Sequence, residues 1–362
     1  MELVKLTLRG LAVVGLGVLL GGCSRIGYYA HLAGGQMELL GARRPIDSLL
    51  HEPGVDPALK QRLGKVRDAR QWAVSHLLLP DNGSYRSYAD LGRRYVVWNV
   101  FATPEFSLEP VESCFLIVGC LAYQGYYQRD RAQVRADELA ARGDDVYVGG
   151  VPAYSTLGWF DDPLTNTMMQ WSDAALIGTL FHELAHQKLY VKNDTRFNES
   201  FAEFVEDEGL RQYLAAFPAV ATLDADARSR QQQFVKLIVA TRERLAALYQ
   251  RPLSPAAMRS GKAAVFADLE ARYARMRDTQ WQGDRRYDGW FEDGELNNAK
   301  LLPFGLYDEY LPAFAALYAE SGRDWGRFYA AAQRLAGRAP AARQAELDRL
   351  LEAGRAASAP SS

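Results

Sequence analysis

One short segment carries the side chains best suited to chemistry. It is His182-Glu183-Leu184-Ala185-His186, which matches the pattern His-Glu-x-x-His. Positions four residues apart lie on one face of an α-helix, so the imidazoles of His182 and His186 can bind one cation. Glu183 lies about 100° around the helix from His182 and can reach a water on that cation without binding it. The spacing predicts a Zn²⁺ site with Glu183 as general base of a hydrolytic reaction.

The flanking residues support a helix around this segment. Apolar side chains surround it, and no proline or glycine falls between Thr179 and Val191. Two imidazoles and a carboxylate would be costly to bury on such a helix without a partner, and a metal ion removes that cost. The alternative is a chance match of the pattern on a buried helix.

A zinc ion that keeps one position for water needs a third protein ligand. The other histidines all lie far upstream, at His31, His51 and His76. Two carboxylates, Glu199 and Glu203, lie just downstream, beyond the turn-forming residues 192–194. We expect a helical hairpin that brings them back beside the histidines. One would then bind zinc, and the other would hold a ligand histidine or a substrate amine.

The elements that must position these residues form an α+β pattern that is dominated by helices. Helical periodicity predicts helices over 28–40, 57–79, 133–142, 174–191, 198–217, 225–250, 255–276, 297–321, 325–336 and 341–352. Runs of β-branched and aromatic residues predict strands over 95–101, 114–123, 146–148 and 153–160. The small sheet, at about 95–160, therefore precedes the catalytic helix. We expect residues 23–355 to form one domain and the small, polar residues 356–362 to be disordered.

The composition and the N-terminus bear on where the protein works. The chain has 362 residues and a formal net charge of -2, so its charge gives no reason to expect nucleic acid as a partner. Lys5 and Arg9 form a positively charged region that precedes an apolar run at 11–20, which has the length of a signal-peptide core and is too short to span a membrane comfortably. Residues 1–22 are therefore predicted to be a signal peptide.

Three cysteines refine this prediction. Leu20-Gly21-Gly22-Cys23 resembles the lipobox of bacterial lipoproteins, which implies cleavage before Cys23 and a lipid on its thiol. Ser24 implies an outer-membrane location, with the protein lipid-anchored and facing the periplasm. The alternative is an ordinary signal peptide or membrane anchor. Cys114 and Cys120 remain in the mature chain, and in an oxidising compartment we expect them to form a disulfide; the alternative is a pair of buried thiols.

Two family resemblances cover the catalytic segment and most of the mature chain. His182 to Gln187, followed by Phe197-Asn198-Glu199-Ser200-Phe201-Ala202, resembles the gluzincins, zinc peptidases whose third ligand is a glutamate; this carries the ligand role onto Glu199. Residues 149–160, 114–127 and 297–299 are similar to a family of bacterial lipoproteins described as predicted zinc aminopeptidases. The resemblance implies a zincin-like fold, a Zn²⁺ cofactor, a peptide substrate and aminopeptidase activity.

Peptide hydrolysis also needs a hydrogen-bond donor for the oxyanion. Tyr307 is the predicted donor, with Tyr310 and Tyr154 as further candidates. The strand predicted over 153–160 could pair with an extended peptide.

An aminopeptidase also needs an acidic group for the free amine, and the candidates are Glu203, Asp161 and Asp162. The alternatives are a zinc endopeptidase of the cell envelope and a non-catalytic lipoprotein that zinc stabilises, with Glu203 as a fourth ligand. The presence of Glu183 argues against the last, because a structural zinc site has no need of a general base.

Overall fold

The structure is a computed structural model that describes residues 26–115, 119–153, 155–156, 159–221, 225–304 and 310–358. The predicted signal peptide, Cys23, Tyr154 and Tyr307 lie outside these residues. Helices dominate the described chain and are accompanied by small sheets, as predicted for the α+β class. Among the described residues, no helix combines the length and the apolar character needed to cross a membrane.

The helices follow the predicted periodicity closely in the second half of the chain. Their bounds are α1 (26–41), α2 (Ile46–His51), α3 (Pro57–His76), α4 (Arg129–Ala140), α5 (Asp173–Lys188), α6 (Thr195–Ala216), α7 (Pro218–Ala221), α8 (Ala225–Tyr249), α9 (Pro255–Arg275), α10 (Asp288–Glu292), α11 (Leu311–Glu320), α12 (Trp325–Ala336) and α13 (Pro340–Ser358). Shorter helical pieces are the 3₁₀ segments Asn166–Met168 and Ala299–Phe304 and the π-helical turn Met276–Gln280. The last helix continues to Ser358, into the segment for which we expected disorder.

The strands form three small sheets in the described chain. Their bounds are β1 (Arg43–Pro45), β2 (Ser87–Ala89), β3 (Val97–Pro104), β4 (Ser113–Phe115), β5 (Gly119–Leu121), β6 (Tyr123–Tyr126), β7 (Asp144–Val151) and β8 (Leu164–Thr165). The central sheet has the order β6-β3-β7 with both pairs antiparallel, and α4 packs on one of its faces. The second sheet, β1-β2-β8, lies outside the predicted region of about 95–160, because its strands are too short to show a two-residue alternation.

Three predicted elements differ from the structure. The single strand over 114–123 is instead the hairpin β4-β5, in which Cys114 pairs with Cys120, followed by the start of β6. The helix over 297–321 is divided into the 3₁₀ segment and α11, since Pro303 lacks the N–H that an α-helix needs.

The third difference concerns 153–160, which forms no strand in its described residues. The buried carboxylate of Asp162 accepts hydrogen bonds from the backbone N–H of Thr156 at 2.7 Å and from its hydroxyl at 2.9 Å. These bonds join Thr156 to Asp162, and the described residues of the segment therefore offer no strand with which an extended peptide could pair.

The helices that carry the histidines and the downstream glutamates lie in the largest hydrophobic core. This core joins α3, α5, α6, α11 and α12, and its fully buried aromatic side chains include Phe181, Phe197, Phe201, Phe314 and Phe328. A separate aromatic cluster joins α8, α9 and the segment around Trp281 and Leu301. The first core therefore positions the candidate site.

Candidate metal centre

The helix α5 begins at a well-defined cap and carries His182, Glu183 and His186 in its last two turns. The hydroxyl of Ser172 accepts a hydrogen bond from the N–H of Ala175 at 3.2 Å, which satisfies one of the free donors of the first turn. Asp173 adds a negative charge at this end and forms ion pairs with Arg62 and Lys65 of α3. These contacts fix α5 against α3.

The turn between α5 and α6 is held by hydrogen bonds from side chains of α6, of the turn itself and of α13. Asn198 accepts a hydrogen bond from the N–H of Val191 and donates one to its carbonyl, each at 2.7 Å. Asp194 caps α6 by accepting from the N–H of Phe197 at 3.1 Å, and Arg343 of α13 donates to the other oxygen of Asp194 at 2.8 Å. The predicted helical hairpin is therefore present, and its short connection has a defined shape.

The hairpin brings three potential ligand atoms together. The Nε2 atoms of His182 and His186 are 3.1 Å apart. The Oε2 atom of Glu199 lies 3.4 Å from the first and 3.5 Å from the second. All three side chains are largely buried, and they form a group that could hold a metal ion.

The size of this triangle fits a zinc ion. Three ligand atoms at tetrahedral angles, about 2.0–2.1 Å from zinc, lie about 3.3 Å from one another. The distances among His182, His186 and Glu199 bracket this value. A pair of imidazole nitrogens and a carboxylate oxygen is also a donor set that zinc prefers.

The charges at the site favour the form of Glu199 that binds a cation. Burial alone would raise the pKa of Glu199, but the charges and hydrogen bonds of His186 and His182 outweigh it and hold the pKa far below its usual 4.5. Burial alone would lower the pKa of His182, but hydrogen bonds and charges from Glu199 and Glu206 raise it well above 6.5. Both shifts reflect the attraction between these buried carboxylates and imidazoles.

The other nitrogen of His182 faces a second pair of carboxylates. Glu206 Oε2 lies 3.2 Å from Nδ1 of His182, and Glu203 Oε2 lies 3.8 Å from the same atom. At this distance Glu206 forms an ion pair with Nδ1 and is the closer of the two carboxylates. Of the two candidate ligands, Glu199 faces the Nε2 atoms of both histidines, and Glu203 lies on the Nδ1 side of His182.

Gly178, one helical turn before His182, makes room for Glu206. A Cβ atom at this position would lie 2.7 Å from Oε1 of Glu206 and 3.2 Å from Cδ2 of Leu210. Glycine inside a helix normally lowers its stability. Here its missing side chain lets a carboxylate lie directly against α5.

Glu183 is half-buried and faces a loop from the N-terminal part of the chain. Gln187, one turn further along α5, accepts a hydrogen bond from Asn82 at 2.6 Å and donates one to the hydroxyl of Ser84 at 3.3 Å. Tyr85, which follows Ser84, is fully buried; burial first, and the negative charge of Glu183 second, raise its pKa well above 10. Tyr85 was not identified from the sequence, because it lies almost 100 positions before Glu183 and outside any motif.

The other predicted site residues lie in different places. Burial raises the pKa of Asp162 to about 6, and its side chain is fully buried, so it is not exposed to a substrate amine. Asp161 is exposed. The hydroxyl of Tyr310 donates to Gln344 at 2.9 Å within the core, which leaves it unsuited to an oxyanion. Tyr307, Tyr154 and Cys23 lie outside the described residues.

A disulfide joins Cys114 and Cys120 across the hairpin β4-β5. The hairpin packs on the turn between α5 and α6, where Cys120 N–H donates to the side-chain oxygen of Asn193 at 3.1 Å. Gly119, with φ +87°, has no room for a Cβ atom, which would lie 1.8 Å from that oxygen. The disulfide hairpin therefore contacts the connection between the two ligand-bearing helices.

The fold and the site together define a helix-rich α+β protein with a buried group of side chains able to hold a metal ion. Residues 27–347 match the family described as "Putative aminopeptidase". The match spans most of the chain, so the protein belongs to this family, and membership indicates a peptidase. No curated protein and no solved structure matches the chain.

Proposed function

We propose that this protein is a zinc-dependent peptidase of the zincin-like type and that it acts as an aminopeptidase. The observation that carries the proposal is the triangle formed by His182, His186 and Glu199, whose sides of 3.1, 3.4 and 3.5 Å suit tetrahedral zinc. Glu183 follows the first ligand directly on the same helix, as a general base requires. Family membership supports the choice of peptide as substrate.

The residues of the chain would divide the work as follows. His182 and His186 would bind zinc through Nε2, and Glu199 through Oε2. Zinc bound here would supply a Lewis acid that lowers the pKa of a water molecule to about 7. The carboxylate of Glu183 takes a proton from the attacking water and delivers it to the leaving amine. Glu206 keeps the ring of His182 in the orientation that presents Nε2.

We also propose that the chain is exported and anchored in the cell envelope through lipid on Cys23. The residues that support this are the apolar run at 11–20 and the lipobox-like segment that ends at Cys23. The disulfide between Cys114 and Cys120 supports it independently, because such bonds persist in oxidising compartments and are rare in the cytosol.

The proposal is tested on the mature chain from Ser24 onward by measuring bound zinc together with hydrolysis of amino-acid amides and N-blocked peptides. Wild type should bind zinc and hydrolyse the amides. Glu183→Ala should retain zinc and lose about 100-fold or more in kcat/KM, the usual loss when a general base is removed. Glu199→Ala should lose zinc, and Glu203→Ala is the matched control that should keep it.

Other outcomes would exclude parts of the proposal. Cleavage of blocked peptides at internal bonds would make the protein an endopeptidase. A zinc-loaded wild type that is inert across a broad peptide library would favour the non-catalytic lipoprotein. Full activity of Glu183→Ala would rule out the proposed general base.

A further inference from the structure

Tyr85 has a backbone conformation that is uncommon for a large side chain. Its φ is +60°, in the left-handed region, which costs free energy for any residue with a Cβ atom. The backbone N–H of Tyr85 donates to the carbonyl of Asp162 at 2.6 Å. Arg70, which is itself buried, donates to the carbonyls of Ser84 at 2.8 Å and Asn82 at 2.6 Å. The conformation is therefore imposed by contacts with other elements of the fold.

This conformation places the phenol of Tyr85 inside the protein with its hydroxyl unsatisfied. The residue is 2% exposed. Ser155 is a polar neighbour of the hydroxyl, but the hydroxyl makes no hydrogen bond of good geometry within the described chain. An unsatisfied buried hydroxyl destabilises a protein, so phenylalanine would suit this position better if stability alone mattered. Strain and unsatisfied polar groups of this kind concentrate at functional sites.

The same loop lies over the face of α5 that carries Glu183. Gln187 is four residues after Glu183 and therefore on the same face of the helix. It is hydrogen-bonded to Asn82 and Ser84, the two residues that lead into Tyr85 on either side of Gly83. Burial, and after it the negative charges of Glu183 and Asp162, raise the pKa of Tyr85 well above 10, which indicates that both carboxylates lie near the phenol.

Asp162, the other carboxylate near the phenol, is already committed to Thr156. One of its oxygens accepts from the backbone N–H of Thr156 at 2.7 Å, and the other accepts from the Thr156 hydroxyl at 2.9 Å. Asp162 also has no exposed surface. Its orientation is therefore fixed by Thr156, and Glu183, on the helix that carries the ligands, is the carboxylate left for the Tyr85 hydroxyl.

We infer that Tyr85 is a positioning residue for Glu183: during the reaction its buried hydroxyl donates a hydrogen bond to one oxygen of the Glu183 carboxylate. That bond leaves the other oxygen directed at the attacking water. Tyr85 makes and breaks no covalent bond, and it acts through Glu183 because its own hydroxyl has no access to substrate. The inference rests on the proposed function, in which Glu183 is the general base.

The test compares Tyr85→Phe, which removes only the hydroxyl, with wild type in the mature chain. For hydrolysis of an amino-acid amide, kcat should fall about 10- to 100-fold, the lower end of the range for general-base catalysis. KM and zinc content should stay unchanged. The midpoint of thermal unfolding of the metal-free protein should stay the same or rise, because the variant removes an unsatisfied polar group.

Tyr329→Phe is the matched control for a structural hydroxyl. Tyr329 is also buried, but its hydroxyl donates to the carbonyl of Leu77 at 2.9 Å. This variant should lower the unfolding midpoint and leave kcat unchanged. The two tyrosines should therefore show opposite patterns of stability and activity.

The outcomes separate the inference from the proposed function. Wild-type kcat in Tyr85→Phe, with Glu183→Ala inactive, overturns the role of Tyr85 and leaves the proposed peptidase intact. A fall in both kcat and the unfolding midpoint in Tyr85→Phe makes its hydroxyl structural and also overturns the inference. Full activity of Glu183→Ala overturns both.

Discussion

Replacing Gly178 by alanine should separate metal affinity from fold stability. The added Cβ would lie 2.7 Å from Oε1 of Glu206, and ordinary contacts begin at about 3.5 Å, so the carboxylate must withdraw by roughly 0.8 Å. Its other oxygen starts 3.2 Å from Nδ1 of His182 and would then lie beyond hydrogen-bonding distance. Losing an outer partner of a ligand histidine typically lowers metal affinity by about 10- to 100-fold.

The same substitution should leave the fold intact or stabilise it. Alanine is favoured over glycine inside a helix by up to about 1 kcal/mol, and the atom that must move is the end of a flexible side chain. The partial clash with Leu210, at 3.2 Å, offsets part of that gain. The free energy of unfolding of the metal-free variant, measured in urea, should therefore lie within about 1 kcal/mol of the wild-type value.

Zinc affinity is measured by competition with a chromophoric chelator. Gly178→Ala and Glu206→Ala should weaken binding to a similar extent, and the double variant should be no weaker than either, because both changes remove the same contact. Gly261→Ala, on α9 and away from the site, is the matched helical control and should bind zinc as wild type does. Unchanged affinity in Gly178→Ala, or fully additive losses in the double variant, would refute the role assigned to Glu206.

Two further predictions concern stability. Burial raises the pKa of Asp162 from 3.8 to about 6, so the folded state holds this proton more tightly than the unfolded state; the resulting stabilisation is present below pH 3.8 and is lost as the pH rises through 6. Relative to Asp162→Asn, wild type should lose about 2 kcal/mol of unfolding free energy between pH 4 and pH 7.5 in urea titrations, and a constant difference would contradict the assignment. Replacing Cys114 and Cys120 together by serine should lower the unfolding free energy by about 2 kcal/mol, the loop-closure value for so short a loop. Reducing the disulfide of the wild type should lower the unfolding free energy by the same amount. Equal stability of the oxidised, reduced and serine forms would contradict this prediction.

The part of the site that follows from local spacing was predicted from the sequence. Helical periodicity places His182 and His186 on one face, and a short turn followed by a second helix returns Glu199 to them. Both statements involve residues close in sequence, so the geometry of the helix is sufficient. The α+β class and most helices in the second half of the chain were also predicted, because their apolar periodicity is long and regular.

The parts that depend on distant residues were not predicted. Tyr85 was not named from the sequence, and Asp162 was named only as a candidate for binding a substrate amine; both reach the surroundings of Glu183 through loops, and no spacing rule relates those loops to α5. The aromatic and β-branched residues of 153–160 indicated a strand, but the buried carboxylate of Asp162 bends the segment. The role of Gly178 also depends on a neighbour from another helix, since the close approach of Glu206 is a property of packing.

The distribution of the site along the chain has a consequence for how the protein is assayed. The potential ligands all lie between positions 182 and 199, so a single helical hairpin brings them together with little loss of loop entropy. The surroundings of Glu183 instead come from residues 82–85 and from Asp162, which meet α5 only when the tertiary fold is complete. A partly folded or nicked chain that keeps the hairpin would retain the metal site without the arrangement around the general base. Bound metal would then report on every molecule with an intact hairpin, and only the rate of hydrolysis would report on completely folded molecules.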